Sequence, residues 1–183
     1  MSAPAYVRPP LVPGEPREPW AKSPSQIDSF RTCERKWGWK TLEGIDGQNK
    51  SAALGEAVHA LLEDWLRDGT PIPDTFEGKI AMAGIHLLPA PGVAEVERKF
   101  RFQTPTAKYT GKVDFHYRDP ATGLWVIGDH KTTSGLGWAK TPDNLREDPQ
   151  AMIYAHEAML RHEVQEVELF WLCLLYTSPS PRD

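Results

Sequence analysis

GKVDFHYRDPATGLWVIGDHKT, residues Gly111 to Thr132, holds two runs of strand-forming residues around the turn-forming segment PATG. The second run is apolar from Leu124 to Ile127, and after Gly128 it sets an aspartate, a histidine and a lysine in succession. An unpaired carboxylate or ammonium costs several kcal/mol to bury unless something offsets it. Either the strand ends at Ile127 and these charges are solvated, or they share a site. Asp129 and Lys131 are two apart, so they project from one strand face, which they share with Trp125 and Ile127. In the first run Asp114 lies on the opposite side from Val113, Phe115 and Tyr117. If Asp119 pairs with Leu124 around a four-residue loop, Asp114 falls opposite Asp129; a five-residue loop sets it opposite Gly128. Spacing leaves both registers open. Two carboxylates facing one another would repel and raise one pKa unless a cation lies between them. A divalent metal resolves that economically: hard oxygen ligands suit magnesium or manganese, and a lysine alongside can activate water or stabilise charge on a phosphate.

Working outward, Val93, Glu95, Glu97, Lys99 and Arg101 alternate with Ala94, Val96, Arg98, Phe100 and Phe102, an imperfect but strand-like pattern. SPSQIDSFRTCERKWGWK reads as a helix with Ser23 or Ser25 as N-cap, and AALGEAVHALLEDWLRDG as a second, stopped by Gly69. REDPQAMIYAHEAMLRH returns to helix with Pro149 near its first turn, and EVELFWL closes as a strand. The order α-β-β-β-α-β predicts a mixed α+β, or α/β, fold with helices flanking a small central mixed sheet.

Residues 1–22 are dense in proline and are expected to be a disordered arm. The end, CLLYTSPSPRD at 173–183, reads codon by codon as the translation of a transposase-based sequencing adapter. The expectation is therefore one truncated domain over 23–172 followed by a non-native tail. A length of 183 residues with 40% hydrophobic content suits a single domain with a real core. The net charge of −4 gives no global basic field, so a nucleic acid would be held by a local patch or by metal ions. No apolar run reaches the roughly 18 residues of a membrane helix, the N-terminal stretch lacks the apolar core of a signal peptide, and two distant cysteines suggest no disulfide framework. The reading is a cytoplasmic protein with no membrane partner.

At this point five elements, in order, carry a family resemblance. GKVDF followed by VIGDHKT resembles the D…(D/E)xK signature of the PD-(D/E)xK nuclease superfamily. SPSQIDSFRTCERKWGWK is similar to the N-terminal helix of its RecB-like domains, found also in CRISPR-associated and phage exonucleases. LGEAVHALLE is similar to their Gly-x-x-x-His-x-x-x-Glu helix and QAMIYAHEA to their Gln-x-x-x-Tyr helix. The resemblance implies a restriction-endonuclease-like αβββαβ core and favours the four-residue loop. It implies a magnesium- or manganese-dependent deoxyribonuclease, an exonuclease of DNA repair, recombination, phage replication or CRISPR adaptation. DNA is the implied partner, with helicase or other recombination or CRISPR subunits beside it.

Carried over by position, Asp114 and Asp129 become metal carboxylates, Lys131 the catalytic lysine and His59 a further ligand, joined by the backbone carbonyl of His130. Gln150 and Tyr154 would orient the water, the lysine or a phosphate, and Glu97 in VERKF matches an acidic position of these nucleases. Cys33 corresponds to an iron–sulfur ligand in some members, whose other three cysteines follow the last strands, and has no such part in others. The plainer alternatives are a packed or solvated His59, a solvated Glu63, an exposed Asp129–Lys131 pair, and Gln150 and Tyr154 serving only to pack. Trp37 and Trp39, among Arg35, Lys36 and Lys40, could stack bases but more often pack. His86, His116, His156 and His162 show no partner spacing. The alternative to an enzyme is a catalytically silent nuclease-fold module that binds DNA or scaffolds other subunits.

Overall fold

The computed structural model describes residues 21–45, 50–135, 137 and 139–176. Residues 1–20 of the expected arm and 177–183 of the expected tail lie outside the described residues. The chain divides into two compact units, Met1–Gln48 with Arg101–Gly111, and Asn49–Phe100 with Lys112–Asp183.

In the first unit a short strand, β1 (Ala21–Lys22), pairs in parallel with Lys108 and Tyr109. Ala21 and Lys22, assigned by composition to a disordered arm, therefore belong to a strand, because extended backbone is all that two pairings require. Ser23 caps α1 (Pro24–Thr32) through a reciprocal box with Gln26, with Pro24 at the start. The single helix expected here is two. Cys33 is extended, with φ −162° and ψ 104°, and its sulfur accepts the Lys36 N–H, so it ends α1 and caps α2 (Glu34–Leu42). A side chain that competes for backbone N–H groups breaks a helix where the apolar period alone reads straight through. Phe30 meets Trp37 edge-on at 5.3 Å, and the Arg35 guanidinium lies 4.7 Å from the centre of the Trp39 ring.

The second unit opens with α3 (Lys50–Asp68), whose Val58, Leu62 and Leu66 are fully buried at four-residue spacing. Gly69 stops it in the left-handed region at φ 78°. Next comes α4 (Phe76–Gly84), an element the sequence reading left unassigned, capped by Thr75. Its glycines lower helix propensity but are there for space: a Cβ on Gly84 would lie 2.6 Å from Leu174 Cδ2. After a 3-10 turn at Ile85–Leu87 the strands follow: β2 (Glu95–Gln103), β3 (Lys108–Arg118) and β4 (Trp125–Thr133). The last residues of β2 and the first of β3 belong to the first unit. A short helix, α5 (Pro142–Arg146), precedes α6 (Pro149–His162), which is capped by Asp148 with Pro149 in its first turn. β5 (Val167–Leu175) closes the unit.

β2 pairs with β3, β3 runs antiparallel to β4, and β4 runs parallel to β5 after the α6 crossover. Within this unit α3, β2, β3, β4, α6 and β5 give the αβββαβ order, a mixed α+β fold of the restriction-endonuclease-like kind. Val58, Leu62, Ile80, Ala81, Leu172 and Leu174 form one core cluster, and Leu66, Ala94 and Phe115 another. β5 thus runs three residues past Leu172, with Leu174 buried in the core. Among the described residues no helix is long and apolar enough to cross a membrane.

Candidate functional site

The hairpin between β3 and β4 has the shorter of the two registers. Asp119 N–H donates to the Leu124 carbonyl at 2.8 Å, leaving residues 120–123 as the loop, with Gly123 at φ 73° closing it. Phe115 pairs with Gly128 and Tyr117 with Val126. One residue beyond the Phe115–Gly128 pair stand Asp114 on β3 and Asp129 on β4. Gly128 is required there, because a Cβ would lie 1.9 Å from Phe115 Cζ. The Phe115 ring, laid over Gly128, also stacks on the His130 imidazole at 5.1 Å.

Asp114 turns its Oδ2 to the backbone N–H of His130, which donates at 2.7 Å. The same oxygen lies 3.4 Å from His59 Nδ1 and 3.8 Å from His130 Nδ1. Among the described residues, His59, Asp114 and His130 form the group of three ligand-bearing side chains whose donor atoms all lie within 4.8 Å of one another. His59 reaches it from α3. One turn earlier, a Cβ on Gly55 would stand 3.1 Å from Thr132 Oγ1, so the glycine lets the helix come down onto β4. The sequence reading drew on His130 for its carbonyl; it is the imidazole that faces this group.

Asp129 stands outside that closest group and is held by other partners. Its Oδ1 accepts from Gln150 Nε2 at 2.7 Å. Its Oδ2 lies 2.5 Å from Lys131 Nζ, a charge-assisted contact with the ammonium. Gln150 also donates to the Tyr154 hydroxyl, which donates in turn to the Lys112 carbonyl at 2.6 Å. Gln150 and Tyr154, one turn apart on α6, therefore tie the helix to Asp129 and to β3. Lys112 makes an ion pair with Glu97 of β2. Glu63 pairs with Arg67 along α3. Cys33 lies in the first unit as a free, exposed thiol, and a four-cysteine cluster would draw on cysteines that this sequence does not hold.

Burial sets the protonation of the site. It pushes Asp129 up to about 6, with the Asp114 charge adding to the rise and the Lys131 ammonium opposing it. Burial also raises Asp114, against the pull of the His130 N–H and of Lys131. His130 is pushed down to about 3 by burial, with His59 and Lys131 lowering it further. Burial lowers His59, against the pull of the Asp129 charge. Both imidazoles are thus neutral at pH 7 and keep a lone pair to share. Burial, then Asp129, raises Tyr154, so its hydroxyl stays protonated.

The sequence reading missed a second polar cluster on the α6 side of the sheet: Arg98, Glu157 and His116, all nearly fully buried. The signal was Arg98 standing at an apolar position of the β2 alternation.

No match was found among curated proteins. Among solved structures, "Crystal structure of SSO0001" is 14% identical, with a TM-score of 0.42, over 87% of this chain. The chain spans 65% of the length of that structure, and the likeness is too distant to carry residue roles. Residues 21–84, from β1 through α4 and including the Gly55–His59 turn, match the model of the PD-(D/E)XK nuclease superfamily, the family that the sequence motifs resemble.

Proposed function

We propose that the protein is a metal-dependent deoxyribonuclease of the RecB-like group, an exonuclease acting on single-stranded or end-containing DNA. The observation that carries this reading is the meeting of His59, Asp114 and His130 beside buried Asp129 and its ion-pair partner Lys131. The residues fit a cation. Two neutral imidazoles and a carboxylate offer donor atoms, and the buried Asp129 carboxylate beside them adds negative charge. A mixed nitrogen and oxygen set favours manganese over magnesium, which prefers oxygen donors alone. The cation would supply Lewis acidity toward a phosphate oxygen and a water.

The remaining roles belong to the chain's own groups. Asp129 and Asp114 provide negative charge, and Gln150 holds Asp129 in one orientation through its amide. Lys131, half exposed, brings its ammonium to the edge of the site, where it can offset charge developing on a phosphate. Tyr154 acts as a hydrogen-bond donor and not as a base, since burial keeps its proton in place.

The test is cleavage of end-labelled DNA in manganese, magnesium or calcium, by the wild-type protein and by Asp129→Asn. Turnover in manganese and magnesium that disappears in the variant supports the reading. DNA binding that is indifferent to metal and yields no product supports a silent, scaffolding module in its place.

A further inference from the structure

The alternation of β2 changes sides in mid-strand. Ala94 and Val96 pack with Leu66 and Phe115, whereas Arg98 and Phe100 reach Glu157 and Tyr154 of α6. In a regular strand residues 94, 96, 98 and 100 share one face. The reversal falls at Glu97, whose φ of 54° lies in the left-handed region that residues with a Cβ seldom enter. A strand that shifts phase by one residue at a left-handed position carries a bulge, a device that re-aims side chains.

What the bulge re-aims is a two-point grip on α6. Arg98 donates a fork to Glu157, Nη1 to Oε1 at 2.9 Å and Nη2 to Oε2 at 2.5 Å, with both residues nearly fully buried. Phe100 meets the Tyr154 ring edge-on at 5.8 Å. Residues two apart on a strand span about 6.6 Å and residues three apart on a helix about 4.5 Å. Two such contacts, running in opposite chain directions, set both the height and the rotation of α6. The guanidinium is further engaged by His116, whose Nδ1 accepts from Arg98 Nε at 3.4 Å, and Arg161 adds a donor to Glu157 Oε1 at 2.8 Å.

We propose that Arg98 and Glu157 are positioning residues for the candidate site: their buried fork, presented by the bulge at Glu97, seats α6 and thereby the Gln150 to Asp129 hydrogen bond. The proposal rests on the nuclease reading of that site. A buried ion pair adds little stability over an apolar pair of the same volume, while its planar, bidentate geometry defines an orientation that apolar packing does not. Glu157 lies one turn from Tyr154 and two from Gln150, close enough for a tilt of the helix to be felt at Asp129.

The test is a cycle between Arg98→Met/Glu157→Leu and Gln150→Ala, reading kcat and KM separately in saturating manganese, with thermal melts and hydrogen exchange of the Gln150 side-chain amide. The proposal expects a melt close to wild type, faster exchange of that amide, kcat lowered about tenfold with KM nearly unchanged, and no further loss of kcat when Gln150 is already alanine. An unchanged kcat, or the same tenfold loss in the Gln150→Ala background, overturns it. Should the double replacement fail to fold, Glu157→Gln, almost isosteric, must show a smaller loss with the same non-additivity. A wild-type protein that cuts no DNA refutes the nuclease reading; the amide exchange then still decides, unchanged exchange in the pair variant overturning the grip.

Discussion

Replacing Gly128 by alanine is expected to damage the core and the site together. The added methyl carbon would lie 1.9, 2.2 and 2.4 Å from three atoms of the Phe115 ring, well inside contact distance, so the ring has to move. Phe115 is fully buried against Leu66 and Ala94, stacks on His130 and meets Phe170 edge-on, which leaves it little room to swing. Overpacking of this kind costs about 1–3 kcal/mol, and a clash with a walled-in aromatic ring belongs at the upper end, about 3 kcal/mol. Urea unfolding followed by tryptophan fluorescence reads the loss as a lower midpoint at constant slope. Phe115→Leu should lose stability by itself through a cavity, yet restore part of what Gly128→Ala removes, since a shorter side chain vacates the space the methyl needs. His130, displaced with the ring, should also bind manganese more weakly in the single variant. A Gly128→Ala protein within about 0.5 kcal/mol of wild type would refute the stacking of Phe115 over β4 and the register that produces it.

Other consequences are measurable in the same protein. Asp148→Ala removes the side chain that caps α6 at the Ala151 N–H and pairs with Lys140, and should cost about 1–2 kcal/mol in urea unfolding. With no metal present, Asp129, raised in the folded state to about 6 from an ordinary 3.8, favours folding at low pH, and that contribution is lost as pH rises through 6; the melting temperature of Asp129→Asn should therefore fall less than that of wild type between pH 5 and 7. Metal affinity must run the other way, weakening as pH falls below about 6 and the carboxylate takes up its proton, which titration calorimetry with manganese at several pH values can follow. Cys33→Ser keeps a side-chain acceptor at the start of α2 and should leave helix content unchanged by circular dichroism, whereas Cys33→Pro should lower it by removing the N–H donated to Ser29.

Much of the fold was legible because its signals are local. Two runs of strand formers around the PATG turn announced β3 and β4, and one question of register decided which charges meet. Physics beyond the motif settled that register: the Asp119 N–H reaches the Leu124 carbonyl only around the short loop. α3 was legible from Leu54, Val58, Leu61, Leu62 and Trp65 at helical spacing, of which Val58 and Leu62 are fully buried. α4 was not, because Gly78 and Gly84 lower its helix propensity, and only the structure shows the space they keep, Gly78 against the Pro73 carbonyl and Gly84 against Leu172 and Leu174. The split at Cys33 escaped because the apolar period runs through it, and the break depends on one thiol accepting one N–H. At the site, side-chain types were readable and directions were not. Alternation gave Asp129 and Lys131 one face, as their ion pair requires, but it could not show that Asp114 would turn to the His130 backbone and bring that imidazole beside His59. Arg98 shows the same limit: a charge in an apolar phase looked like noise until the bulge at Glu97 gave it a partner.

The central claim is that one divalent cation sits among His59, Asp114 and His130, beside Asp129. A crystal grown with manganese and measured at the manganese absorption edge tests it directly. The account predicts a single strong anomalous peak at bonding distance, about 2.0–2.3 Å, from the His59 imidazole and the Asp114 carboxylate. A manganese-saturated crystal with no peak between those two side chains, or with its peak on another surface, would contradict it.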